Sequence, residues 1–223
     1  MTEQTIQEPR SKALRLNDQA PLFTARTTMG VRSLADYRGK WLLLFSHPAD
    51  FTPVCTSEFI ALEKAAERFR DLGCELVGLS ADSLYAHLAW TQNIEARFGV
   101  RISFPIIEDL SLSIAEAYGM IDETAVSTAT VRSAFFIDPE GIVRAQTHYP
   151  MSVGRSVEEL LRVLSALRAT ERGDRVAPEG WHSGKPLLKS PPTTVDEMRD
   201  RLQATGDSND WYFVEAADDQ ERT

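Results

Sequence analysis

With 223 residues, 43% of them hydrophobic and 26% charged, the chain has the length and composition of one globular domain with a substantial core plus an appendage, not of a disordered protein. A formal net charge of −9 argues against a phosphate-binding surface, so no nucleic-acid partner is expected. No apolar run approaches the roughly 18 residues that a membrane helix requires, and the opening M-T-E-Q-T-I-Q-E-P-R lacks a signal-peptide core, so no membrane partner and a cytoplasmic location are expected.

Residues 1–15 read as a loose terminus. The M-G step between two strand-like pieces within residues 16–37 predicts a hairpin. Trp41–Phe45 (W-L-L-L-F) is apolar at every position after the turn R-G-K, which predicts a central parallel strand buried on both faces. From Pro53 to Arg70, Phe59, Leu62, Ala66 and Phe69 recur at helical spacing and Gly73 supplies a stop, so a single helix is expected. Glu75–Ser80 reads as a second strand, Leu84–Phe98 as a second helix and Phe104–Ile107 as a short third strand. Val131–Asp138 and Ile142–Thr147 flank the turn D-P-E-G as an antiparallel hairpin, and Val157–Leu167 is a closing amphipathic helix.

These elements give an α/β class with a mixed central sheet flanked by helices over residues 16–170. From 171 to 223 the punctuation G-D, P-E-G, G-K-P and S-P-P surrounds one short helix near Val195–Leu202. Such an arm is not expected to bury a core of its own. Its Trp181, Trp211, Tyr212 and Phe213 therefore predict packing on the body or on a second subunit.

The two cysteines form no C-x-x-C, and the four histidines are scattered, so neither a disulfide framework nor a metal-ligand cluster is expected. One cysteine stands in an informative place. In P-A-D-F-T-P-V-C, Thr52 reads as a helix N-cap, Pro53 as the first helical residue and Cys55 as the third. Thr52 precedes a proline and is thereby pushed to the extended backbone an N-cap requires. Its hydroxyl and the Cys55 sulfur, three residues apart, are expected on one face near the unpaired N–H groups and the positive end of the helix dipole, where a thiolate nucleophile is favoured. Phe45, Phe51 and Phe135 are assigned to the core.

P-x-x-x-T-x-x-C, as Pro48, Thr52 and Cys55, resembles the signature of the peroxiredoxins. The resemblance extends through L-N-D-Q-A-P-L-F, D-Y-R-G-K-W, F-S-H-P-A-D-F-T-P-V-C-T-S-E-F, L-V-G-L-S-A-D-S, R-S-A-F-F-I-D-P-E-G and H-Y-P-M-S-V-G-R, over most of the first 170 residues. The long arm with P-E-G-W and a late W-Y-F is similar to the one-Cys subfamily and its archaeal and bacterial relatives. The resemblance implies a thioredoxin-like fold and a peroxidase in which Cys55 attacks a peroxide O–O bond, becomes a sulfenic acid and is restored by an external thiol. It further implies that Thr52 hydrogen-bonds the thiolate and the peroxide, that Pro48 shields the sulfenate, and that Arg132 stabilises the thiolate and polarises the peroxide. No metal or organic cofactor is implied. A homodimer, assembled into a higher ring such as a decamer, is implied.

Three further residues keep two readings. Glu58, one turn after Cys55, either accepts from Arg132 and holds it or is a helix-surface acid. Arg155 either matches a second arginine bracing that network or is a first-turn helix charge. His47 either lines the pocket or affects reductant access, or else packs or lies exposed to solvent. The chain departs from some relatives in lacking an arm cysteine: W-Y-F is followed by Val214. It also has Y-R-G-K-W where other relatives carry a lipase-like serine. Cys74, expected at the far end of the first helix, is read as a strand-entry residue with no partner in reach of Cys55. The rivals are a thioredoxin-like reductase, disfavoured because Thr52 occupies the first C-x-x-C position, and a non-catalytic sensor or holdase.

Overall fold

In the computed structural model, which describes residues 14–121, 127–205 and 210–216, the run W-L-L-L-F-S forms strand β3 (Trp41–Ser46), buried at every position. Its alternating side chains supply both faces of the sheet. Leu42 and Leu44 join one apolar cluster with Val77, Leu79, Phe135 and Ile137, while Phe45 meets Phe59 and Phe104 edge-on at 5.4 and 5.7 Å.

Two short strands, β1 (Thr24–Thr27) and β2 (Gly30–Ser33), form the hairpin around Met29-Gly30. After β3 come α1 (Pro53–Lys64), α2 (Ala66–Asp71), β4 (Cys74–Ser80), α3 (Leu84–Phe98), β5 (Ile106–Glu108), α4 (Ser113–Ala117), β6 (Arg132–Ile137) and β7 (Val143–Tyr149). These strands make one seven-stranded sheet in the order β2-β1-β5-β4-β3-β6-β7. β3 runs parallel to β4 and antiparallel to β6, so the sheet is mixed and the expected parallel environment holds on one side of β3 only. The architecture is α/β with a thioredoxin-like fold.

The single helix expected from Pro53 to Arg70 is two helices. At Ala65 the backbone turns to φ −100°, ψ −1°, separating α1 from α2. The apolar spacing passes through the break, since Phe59, Leu62, Ala66 and Phe69 are all buried, so periodicity gave no sign of it. Close approach of α1 to the sheet needs Gly78 on β4: a Cβ there would stand 3.1 Å from the Phe59 ring. The third strand starts two residues later and ends one later than expected, and α4 and a 3-10 turn over Leu34–Tyr37 are too short to have left a periodic signal.

The chain divides into two compact units, Met1–Val157 and Glu158–Thr223. The second contains nearly all of α5 (Val157–Ala169), then β8 (Arg175–Val176), β9 (Leu187–Lys189), α6 (Val195–Thr205) and β10 (Glu215–Ala216). The three strands form a small antiparallel sheet, β10-β9-β8. Trp181, Leu187, Val214 and Ala216 are buried, whereas Tyr212 and Phe213 are exposed. This order exceeds what the turn-rich composition led one to expect.

Candidate active site

The loop from β3 to α1 leaves the C-terminal end of a parallel strand, where open α/β sheets place their sites. Thr52 adopts the extended N-cap backbone (φ −107°, ψ 148°) with Pro53 opening the helix. The Thr52 hydroxyl makes no cap bond. It donates instead to the Ala49 carbonyl at 2.8 Å, tightening the loop behind the helix. Cys55 follows in the first turn of α1 and is fully buried.

Arg132, the first residue of β6, reaches the sulfur. Its Nη1 lies 3.3 Å from Cys55 Sγ and donates to Glu58 Oε2 at 2.7 Å. Its Nε and Nη2 both donate to the Met151 carbonyl, at 2.9 and 2.8 Å, which fixes the plane of the guanidinium. Arg155 grips Glu58 from the other side: Nε and the backbone N–H donate to Oε1 at 2.9 and 2.7 Å, and Nη2 donates to Oε2 at 2.9 Å. Nη1 of Arg155 donates to the Ser133 carbonyl at 2.7 Å. Burial alone would raise the Glu58 pKa, but the Arg155 hydrogen bonds and the two guanidinium charges hold it below the usual carboxylate range. Glu58 is therefore no surface acid and Arg155 no solvated helix charge, since both are buried in one ion cluster with Arg132. Chemically, the cluster offers a thiol with a fixed cation beside it and a carboxylate that orients the cation.

The AhpC/TSA family profile matches residues 16–146. A peroxiredoxin of Thermoplasma volcanium is 47% identical over 198 residues, spanning 89% of this chain and 96% of the relative. Peroxiredoxin 2 of Caldanaerobacter subterraneus subsp. tengcongensis is 43% identical over 214 residues, spanning 95% and 97%. The chain belongs to the AhpC/TSA family, the peroxiredoxins. Among solved structures, yeast mitochondrial 1-Cys peroxiredoxin superposes with a TM-score of 0.80 at 36% identity, covering 91% of this chain and all of that one (100%). A cysteine-to-serine mutant of the Peroxiredoxin 6 of Arenicola marina gives 0.81 at 28% identity, covering 93% and 100%. As a peroxiredoxin, the protein is a thiol-dependent peroxidase that reduces hydrogen peroxide and organic hydroperoxides through a cysteine sulfenic acid.

Around this peroxiredoxin centre His47 takes the packed alternative of its readings: it is fully buried, stacked on Trp90 at 5.2 Å, with Nε2 2.8 Å from Asp50 Oδ1. Two other sequence expectations need correction. The histidines are not all scattered, because His87 on α3 places Nδ1 2.7 Å from Asp50 Oδ2, gathering His47, Asp50 and His87 into one buried group. Forty residues of chain separate the rings, and only the packing of α3 against the loop unites them. Phe51 is no core residue. It is 58% exposed and has a left-handed backbone, φ 56°. Pro48 is half-buried in the same loop. Cys74 is buried outside any disulfide at the start of β4, paired with Trp41 at the start of β3, whereas Cys55 follows the opposite end of that strand. Six residues of β3 at ~3.3 Å each put the thiols far beyond the ~7 Å Cα separation of a disulfide.

Proposed function

We propose that Cys55 is the peroxidatic nucleophile and that Arg132, Thr52 and Pro48 form its immediate catalytic surroundings, with Glu58 and Arg155 as supports. The observation that carries this reading is the Arg132 guanidinium held 3.3 Å from the sulfur by Glu58 and the Met151 carbonyl. In the attack, the Cys55 thiolate forms an S–O bond to one peroxide oxygen. The O–O bond breaks, and its electron pair leaves on the second oxygen, which takes a proton to become water or alcohol. Cys55 becomes Cys–SOH, oxidised by two electrons. Negative charge thus moves from sulfur to the departing oxygen, and a donor fixed beside both stabilises the transition state. Arg132 has five N–H groups, and its four bonds to Met151, Glu58 and Cys55 leave one on Nη2 to meet a peroxide oxygen. The groove lined by Phe51, Ile60, Trp90 and Phe98 beside Thr52 suits the apolar part of an alkyl hydroperoxide.

Reduction is assigned to an external thiol. It displaces water from the sulfenic sulfur to give a mixed disulfide, and a second thiol releases Cys55. The solved yeast 1-Cys relative is described as resolved via glutathione/thioredoxin systems, and here Cys74 is out of reach. Two cysteines outside any disulfide and a thiol-fed cycle suit the reducing cytoplasm. Assembly as a homodimer within a ring is supported by β7, a seven-residue strand at the end of the sheet order. Residues 171–223 are assigned as an arm that packs on the body or on the partner subunit. The deciding experiment is peroxide consumption with dithiothreitol as donor. Cys55→Ser abolishes turnover while far-UV dichroism is unchanged, and Cys74→Ser keeps it. Turnover in the Cys55 variant would refute the assignment.

A further inference from the structure

The loop that delivers Cys55 to Arg132 is held by more bonds than a turn needs. The His47 N–H donates to the Leu79 carbonyl at 2.9 Å, and Thr130 Oγ1 donates to the His47 carbonyl at 2.8 Å. The Asp50 N–H donates to Asp82 Oδ2 at 3.0 Å, an oxygen that also accepts from Ser80 Oγ at 2.8 Å. Immediately afterwards Phe51 takes its left-handed backbone. A phenylalanine disfavours that region, and its exposed ring gains no burial in exchange, so the neighbouring residues must impose it. The Asp50 side chain, 2% exposed, is fixed by both of its oxygens to the two histidine rings.

The proton pattern of this group follows from its acceptors. Nδ1 of His47 has no hydrogen-bond partner in its buried position, and Nε2 faces Asp50. One proton, on Nε2, satisfies that ring, and burial holds His47 below the usual histidine range. Burial acts to raise Asp50, but the hydrogen bonds from the two rings outweigh it and keep the carboxylate ionised. His87 differs from His47: Nδ1 faces that carboxylate, and Nε2 lies 3.2 Å from the Ile107 carbonyl, an oxygen that only accepts. Two acceptors call for two ring protons, and a doubly protonated His87 would neutralise Asp50 in the core. The other ionisable groups acting on these rings are Asp82, near His47, and Glu108 on β5, near His87.

We propose that His87 is a positioning residue for the peroxidase reaction: as a buried cation paired with Asp50, it locks the loop 47–52 and so sets the start of α1 that presents Cys55 to Arg132. His87 touches neither peroxide nor sulfur. It acts from α3 through Asp50, whose neighbours Phe51 and Thr52 lead directly into the helix. Charge pairing explains why a carboxylate and two imidazoles are tolerated in so apolar a setting, among Phe59 and Trp90.

The inference rests on Cys55 being the nucleophile, which the Cys55→Ser variant decides separately. Two measurements on the full chain test it. In the first, His87→Leu and His87→Gln are compared by stopped-flow reduction of hydrogen peroxide. The leucine variant is expected to lose on the order of tenfold or more in second-order rate constant, as misplaced reacting groups do. The glutamine variant, whose amide can still donate to Asp50, recovers much of that loss. A purely structural role would lower the melting temperature of both but leave their folded-state rates alike. In the second, ring ¹⁵N–¹H correlation spectra of the parent protein at neutral pH should show two protonated nitrogens on His87 and one on His47; this readout does not involve Cys55. A folded leucine variant with the parent's rate, equal rates in the two variants, or a single protonated nitrogen on His87 overturns the proposal. If the leucine variant does not fold, the ring spectrum decides.

Discussion

Arg132 makes four hydrogen bonds beside the sulfur, and almost none of its partners is visible in its local sequence. Its partners lie 77 positions away at Cys55, 74 at Glu58 and 19 at Met151. An arginine opening V-R-S-A-F-F-I-D looks like a solvated charge, and only the resemblance to a family marked it. Arg132→Met removes the fixed cation and leaves Glu58 to Arg155 alone. Second-order peroxide reduction should fall by about 10²–10³-fold, the usual effect of losing one transition-state donor, and stopped-flow kinetics would measure it. A variant within a factor of about three of the parent would remove Arg132 from the mechanism. Cys55, Thr52 and Pro53 were legible because helix-start grammar is local. Asp50 and His87 were not, because a buried charge pair formed across 37 positions leaves no spacing to read.

At the scale of elements, strong periodicity was a reliable guide and short elements escaped it. Leu84–Phe98 matches the expected span to the residue, and the structure fixes its two ends with the Ser83 cap, whose Oγ accepts from the Ala86 N–H, and with a left-handed Gly99. The five-residue α4 and the two- and three-residue strands of the second unit offer no such pattern. The break at Ala65 is a different failure, since no glycine or proline announces it. α1 matters most, because its outer end carries Cys55 while its inner face is anchored by Phe59. That ring is fully buried and lies 4.6 to 5.4 Å from Phe45, His47, Trp90 and Phe104. Phe59→Ala should destabilise the protein by about 3–5 kcal/mol. Urea unfolding at neutral pH would read it, and a loss under about 1 kcal/mol would mean that α1 is held by something other than its aromatic face.

For the molecule as a whole, acid is the condition its buried charges resist least. His47 has a folded-state pKa below its ordinary 6.5, so the unfolded chain binds the extra proton first and stability begins to fall as pH drops below about 6.5. Glu58 and Asp50 are depressed below 4.5 and 3.8; their contributions are complete above those values and are lost as pH falls through the folded-state pKa values. Urea midpoints measured from pH 6.5 down to pH 2 should therefore decline in two stages, and a flat profile between pH 6.5 and 5 would contradict the reading of His47. The Cys55 cluster also has an electrical balance that depends on oxidation state. Two guanidiniums face one carboxylate and one sulfur, all nearly sealed from water, with side-chain exposures of 2–3% for Arg132, Arg155 and Glu58. With a thiolate the charges cancel; with a neutral sulfenic acid one positive charge is left over; with an ionised sulfinate they cancel again. An uncompensated buried charge is strongly destabilising. A Cys74→Ser protein should thus melt lowest after one equivalent of peroxide and recover after excess peroxide, with mass spectrometry confirming each state; equal melting temperatures would sink the idea. Turnover would then loosen the packing over the sulfur at the step when a bulky reductant must reach it, and over-oxidation would seal it shut.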